Sequence, residues 1–183
     1  MYGLVNKAVE GMVCSKFGEA SWARIKRAAE VDVDVFISMD AYDDAVTYRL
    51  VDAASKELGM PAASVLEAFG EYWVMYTATE GYGEVLKMSG ATLAEFLMNL
   101  DNLHARVGLS FPELRPPTFW TTDVADGSLQ LHYRSERSGL APMVVGLLRG
   151  VGSMFATSLE VEHAERLDDG ADHDVFLVTY KAK

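Results

Sequence analysis

The chain has 183 residues, half of them apolar, which is enough for one globular domain with a filled core. Sixteen Lys and Arg stand against 27 Asp and Glu, a net charge of −11 whose sign is wrong for gripping phosphate backbones, so no nucleic-acid partner is expected. Cys14 is the only cysteine, which excludes an internal disulfide, a cysteine zinc cage and a CxxC redox pair. With no signal-peptide pattern at Met1-Tyr2-Gly3-Leu4-Val5-Asn6-Lys7 and no run of roughly 18 apolar residues, the expectation is a complete, cytoplasmic protein with no membrane partner.

Up to about residue 110 apolar side chains recur at helical spacing. Cys14 lies among Ala8, Met12 and Val13 on the first amphipathic stretch and reads as a packed thiol. Asp40 with Asp43 opens a second helix that Gly59 closes ahead of Pro61. Beyond Pro61, residues Val65, Leu66, Phe69, Trp73 and Tyr76 share one stripe, so Trp73 faces an apolar interior rather than Glu67 and Glu71. Thr92 and Glu95 form a capping-box pattern for a helix that Gly108 ends, with Leu93, Phe96, Leu97, Leu100 and Val107 turned inward. His104 falls on that inward stripe. A buried imidazole needs an acceptor or a metal for at least one nitrogen, and the helix pattern alone leaves both readings open.

Three of the five prolines fall within Ser110–Pro117, an extended and stiff junction. After it, Leu129, Leu131 and Tyr133 alternate with Gln130, His132 and Arg134, as on a half-buried strand. A short apolar helix over Leu140–Leu148 and two alternating runs, about 158–166 and 174–180, complete an α+β pattern, and Asp172-His173-Asp174 reads as solvated surface. The simplest arrangement is a helical N-terminal part packed on a C-terminal antiparallel sheet with covering helices.

No Gly-rich phosphate loop, nucleophile elbow or HExxH helix is present, so no enzymatic activity is expected. Tyr133, Ser135 and Arg137, spaced by two, bring two hydroxyls and a guanidinium to one side of an extended backbone. Such a row suits carboxylates, although a strand end bonding local backbone and an acidic neighbour would use the same residues. An inward imidazole and a separate carboxylate clamp are together what the iron and propionates of a haem require.

These residues resemble the H-NOX family, the haem-nitric oxide/oxygen binding domains of bacteria and of soluble guanylate cyclase. The resemblance runs through Met1-Tyr2-Gly3-Leu4-Val5-Asn6, Phe69-Gly70-Glu71-Tyr72-Trp73, Asn99-Leu100-Asp101-Asn102-Leu103-His104, Arg115-Pro116-Pro117 and the Tyr-x-Ser-x-Arg motif at Tyr133, Ser135 and Arg137. It implies a single haem domain over 1–183, with a distal helical lobe over about 1–65, a proximal helix-plus-sheet lobe over about 66–183, and haem b buried between them. It makes His104 the axial ligand of the iron and Tyr133, Ser135 and Arg137 the propionate clamp. Pro117, with Pro116 as the adjacent alternative, matches the proline that presses on the macrocycle. Val5 and Leu147 correspond to apolar pocket positions, and Trp73 and Met143 to the distal gas pocket.

Oxygen-binding members carry a distal tyrosine on the helix after the Tyr-x-Ser-x-Arg motif, where this chain has Leu140-Ala141-Pro142-Met143-Val144-Val145 and no tyrosine, so the implied function is sensing of NO, with CO as a further ligand, by release of the proximal histidine and relaxation of the haem. The implied output partner is a histidine kinase or a cyclic-di-GMP synthase or phosphodiesterase. An oxygen-binding haem protein and a haem carrier using the same pocket are the alternatives.

Overall fold

The computed structural model describes residues 1–181, apart from the side chain of Thr79. Three helices, α1 (Gly3–Phe17), α2 (Glu19–Ala28) and α3 (Asp44–Leu58), open the chain. Val9, Met12 and Val13 of α1 share one buried cluster with Trp22 and Ile25 of α2 and with Leu50 and Ala54 of α3. The helix expected from Asp40 starts later: the Asp43 carboxylate caps α3 by accepting the Ala45 N–H at 2.8 Å. Gly59 ends it at φ +63°, a conformation costly for residues with a Cβ.

Helix α4 (Ala62–Thr77) crosses from this cluster into the second half of the molecule. Its Val65, Leu66 and Phe69 pack with α1–α3, whereas Val74 packs with the sheet-side core. A π-turn (Ala78–Tyr82) kinked at Glu80 and Gly81 leads to α5 (Gly83–Lys87). The single helix expected over Thr92–Gly108 is two, α6 (Leu93–Met98) and α7 (Leu100–Gly108), broken at Asn99, whose φ of −103° and ψ of 9° are not helical. The Thr92 cap forms as expected, its hydroxyl accepting the Glu95 N–H at 3.2 Å.

Strands β1 (Thr118–Ala125), β2 (Ser128–Arg134), β3 (Leu159–Glu165) and β4 (Asp174–Tyr180) form an antiparallel sheet in the order β1-β2-β4-β3. β1 is the strand that sequence alternation did not mark, since Phe119 is its only buried residue. Helix α8 (Ala141–Met154) runs six residues beyond the expected Leu148, and covers the inner face through Val144, Leu148 and Val151 against Leu129, Leu131, Phe176 and Val178.

Between α4 and α8 there is no room for side chains. A Cβ added at Gly70 would lie 2.1 Å from the Met143 carbonyl oxygen, and one at Gly146 would lie 1.9 Å from that of Glu67. The expectation of solvated surface at Asp172-His173-Asp174 is corrected, Asp172 alone remaining exposed. Asp174 is buried and accepts from His163 at 2.7 Å. His173 sits between Asp172 and His132, its Nε2 2.8 Å from His132 Nδ1. No described helix is long and apolar enough to cross a membrane.

Candidate functional site

The helical half and the sheet half enclose a cavity of about 900 Å³, near the upper end of the range for small-molecule and cofactor sites. Its wall takes His104 from α7, Pro117 from the proline-rich junction, and Tyr133, Ser135 and Arg137 from the end of β2 and the turn after it. Val5 of α1, Trp73 of α4, and Met143 and Leu147 of α8 line the same space. All nine residues singled out in the sequence therefore meet in one place, although they come from elements up to 142 positions apart, from Val5 to Leu147.

His104 is held against Phe119 of β1, ring centroids 5.7 Å apart and nearly parallel. Its Nδ1 is buried with no hydrogen-bond partner among the described residues. Burial pushes the imidazole pKa below its ordinary value, against a smaller upward pull from Asp101, so the ring is neutral at pH 7 and has a lone pair to give. Asp101 is tied elsewhere, accepting the Phe119 backbone N–H at 2.7 Å and thereby lashing α7 to β1. Among the described residues no group of three or more His, Cys, Asp or Glu side chains could hold a bare metal ion. An ion bound by His104 has to bring its other ligands with it.

The hydroxyl and guanidinium row is present but not on a strand throughout. β2 stops at Arg134, and Ser135 and Arg137 occupy the turn beyond it, where the Ser135 hydroxyl accepts the Arg137 backbone N–H at 3.0 Å. Burial raises the Tyr133 pKa, with the Ser135 hydroxyl beside it pulling the other way, so Tyr133 keeps its proton and can donate. Arg137 reaches across to the helical half. Its Nε donates to Asp44 Oδ2 at 2.7 Å, Nη2 to Asp44 Oδ1 at 3.3 Å and Nη1 to the Arg115 carbonyl at 2.7 Å. The α-ammonium of Met1 lies 2.5 Å from Asp44 Oδ1 and donates also to the Tyr42 carbonyl. A guanidinium has five N–H groups, so two remain for a ligand carboxylate.

Asp44, Arg115 and Phe119 were missed as site residues. Asp44 stands 93 residues from Arg137, and its letter signals only a helix start. Phe119 is the one with a usable signal: an aromatic two residues after Pro117 and fourteen before Tyr133.

Residues 2–163 match the profile of the family described as Haem-NO-binding. Soluble guanylate cyclase gcy-35 of Caenorhabditis elegans is 31% identical over 188 residues, covering 98% of this chain and 27% of that protein. The guanylate cyclase soluble subunit beta-2 of Rattus norvegicus is 35% identical over 125 residues, covering 65% of this chain and 18% of its own length. The chain thus spans about a quarter or less of the cyclases it matches. An H-NOX protein from S. oneidensis, solved in the Fe(II)NO ligation state, superposes with a TM-score of 0.90 over the whole of both chains at 22% identity, and one from K. algicida with 0.88 over 100% of this chain and 98% of that one at 20%. At these identities the likeness is one of fold.

Proposed function

The chain belongs to the haem-NO-binding (H-NOX) family of gas-sensing domains related to soluble guanylate cyclase, and we propose from that premise that it binds haem b, takes NO or CO there, and signals to a separate partner protein by letting go of His104. The observation that carries the reading is a neutral, largely buried imidazole on the wall of a 900 Å³ cavity that also holds a guanidinium with donors to spare. Haem would supply an iron able to bind a diatomic gas. His104 would ligate that iron, and Tyr133, Ser135 and Arg137 would hold the propionates by charge-assisted hydrogen bonds. Pro117 would pack against the macrocycle, Val5 and Leu147 would cover its apolar sides, and Trp73 and Met143 would wall the gas pocket.

The release step follows from what His104 lacks. A ligating histidine ordinarily gives its second N–H to a carbonyl or carboxylate, which makes it a better donor to the metal. Among the described residues nothing receives the Nδ1–H, so His104, holding the iron through its other nitrogen, would be the weaker donor and the more readily displaced. Once free, α7 can swing on the break at Asn99, and the Asp101 bond to the Phe119 N–H carries the displacement into β1. The two lobes, about 1–65 and 66–183, then shift about α4, a two-state element biased by the gas. Met143 offers no hydroxyl to a bound oxygen, which favours NO. A cytoplasmic histidine kinase or cyclic-di-GMP enzyme reads the shift, and the chain itself catalyses nothing.

The test is the absorption spectrum of the reduced, haem-loaded chain, before and after NO and then in air. A histidine-ligated ferrous form that changes with NO, is unstable as an oxygen complex, and disappears in His104→Gly is expected. An unchanged spectrum in His104→Gly refutes the assignment, and a long-lived oxygen complex moves the reading to oxygen binding with Trp73 as donor.

A further inference from the structure

Between α2 and α3 the chain runs through Val31-Asp32-Val33-Asp34-Val35-Phe36-Ile37-Ser38-Met39-Asp40, a loop the gas-binding reading does not use. Three of its apolar side chains point outward: Val35 is 71%, Ile37 57% and Met39 52% exposed. Scattered exposed aliphatics are ordinary, but three on one short loop form a patch, and this loop is anchored. Phe36 is fully buried and packs edge-on against Tyr42, ring centroids 5.2 Å apart. The Tyr42 hydroxyl accepts the Ile37 N–H at 3.0 Å, Lys26 donates to the Val33 carbonyl, and Lys7 donates to Ser38 Oγ at 3.2 Å. With Phe36 turned in, its neighbours Val35 and Ile37 are turned out, and the turn closed by the Asp40 N–H on the Ile37 carbonyl at 3.1 Å carries Met39 at its tip. A loop held this way loses little conformational entropy on binding.

Charge says what fits. From Glu30 to Asp43 there are five carboxylates and no Lys or Arg. Glu30, Asp32, Asp34, Asp40 and Asp43 are exposed around the three apolar side chains. Lys7 and Lys26, which bond to the loop, offset only part of this, so a second copy of the chain would set an excess of like charge against itself, which disfavours self-association through this face. We infer that the loop is a docking surface for a segment of a signalling partner that presents apolar side chains between lysines and arginines. The inference deepens the sensor reading and rests on it for the partner's being a signalling one. The loop is also coupled to the cavity. The Gly3 N–H donates to the Asp40 carbonyl at 2.8 Å, that of Leu4 to Ser38 at 3.1 Å, and that of Tyr42 to Met1 at 2.8 Å. The same Met1 holds Asp44, which holds Arg137. A shift of Arg137 therefore reaches the docking face through Asp44, Met1 and Tyr42, whose hydroxyl accepts the Ile37 N–H. Three side chains cover little area, so the contact is of the weak, transient class.

The test uses the haem-loaded full chain and a labelled amphipathic helical peptide of leucine and lysine, followed by fluorescence anisotropy and amide hydrogen exchange. The expected result is binding that protects amides of residues 31–41, weakens with salt over roughly one Debye-length change, and falls about tenfold or more in V35S/I37S/M39S. A leucine and glutamate peptide should not bind. Leu109→Ser, which removes an 86% exposed side chain elsewhere, should bind as the parent does. Protection on another face, full binding by the triple variant, or equal loss in Leu109→Ser overturns the proposal. None of the three substituted residues lines the cavity, so the triple variant should keep the parent's haem spectrum and NO response. A parent with no NO response would count against the sensor reading alone, because docking is measured without gas.

Discussion

At Asp44 and His104 burial and charge compete, and the outcome fixes how stability answers to acid. Burial pushes the Asp44 carboxyl up, but the hydrogen bonds and charges of Arg137 and the Met1 α-ammonium together outweigh it and leave the pKa below the ordinary value. His104 is also depressed, by burial of the ring. In both cases the unfolded chain binds more protons than the folded one between the folded and ordinary pKa values, so stability falls as pH drops through that interval. The haem-free chain should therefore lose stability first below about pH 6.5 and again below about pH 3.9, the ordinary His and Asp values. His132, depressed by burial too, contributes to the first limb. Urea midpoints across pH check this: His104→Leu should shrink the upper limb and Asp44→Asn the lower. Because the Asp44 side chain is 37% exposed, Asp44→Asn should cost only about 1 kcal/mol at pH 7.

Among the elements, the seam between α4 and α8 is the least forgiving. Carbonyl oxygens of Glu67 and Met143 sit where a Cβ at Gly146 or Gly70 would be, and both are backbone atoms that cannot turn aside. Gly146→Ala should force the helices apart and destabilise the fold by about 1–3 kcal/mol, read as a lower melting temperature, and it should weaken haem retention because Met143 and Leu147 ride on the displaced helix. This seam was invisible in the sequence, where each glycine looks like an ordinary interruption. Helices with local punctuation were legible: Asp43, Gly59, Thr92 and Gly108 mark ends that the structure keeps within a few residues. The break at Asn99 and strand β1 were not, since the first rests on packing against the sheet and the second is an edge strand with a single buried residue. The candidate site was read from two local patterns, an inward His104 and the Tyr133, Ser135, Arg137 row. Asp44 escaped because nothing local in a sequence reports a contact made with a residue 93 positions away, whereas Phe119 lay within reach of both patterns and was passed over because its strand shows no alternation.

The molecule has two large apolar cores, one among α1–α4 and one between the sheet and α8, joined by the helix that belongs to both and by a small third cluster of Tyr2, Leu4 and Phe111. Its excess of acidic residues does not shape either core; it gives the surface a net charge of −11, a sign that disfavours polyanions and favours basic groups. The cavity lies between the two large cores, and the lobes meet around it through the α4–α8 seam, the Asp44–Arg137 pair, the Tyr48 hydroxyl on the Ser138 carbonyl, and Tyr2, which packs edge-on against Phe111 at 4.8 Å and accepts the Glu113 N–H at 2.9 Å. A ligand that fills the space touches residues of both lobes, so a shift in that ligand is felt by both.

That cavity also makes molecular volume a variable of this protein. Pressure favours whichever state of a chain occupies less space together with its water, and unfolding eliminates internal voids. With about 900 Å³ of apolar space between the lobes, the chain stripped of haem should unfold at markedly lower hydrostatic pressure than the loaded chain, whereas heat would separate the two forms by ordinary ligand linkage. Tryptophan emission recorded in a pressure cell, with and without haem, checks the difference, and equal midpoints would mean that the lobes close on each other when nothing lies between them.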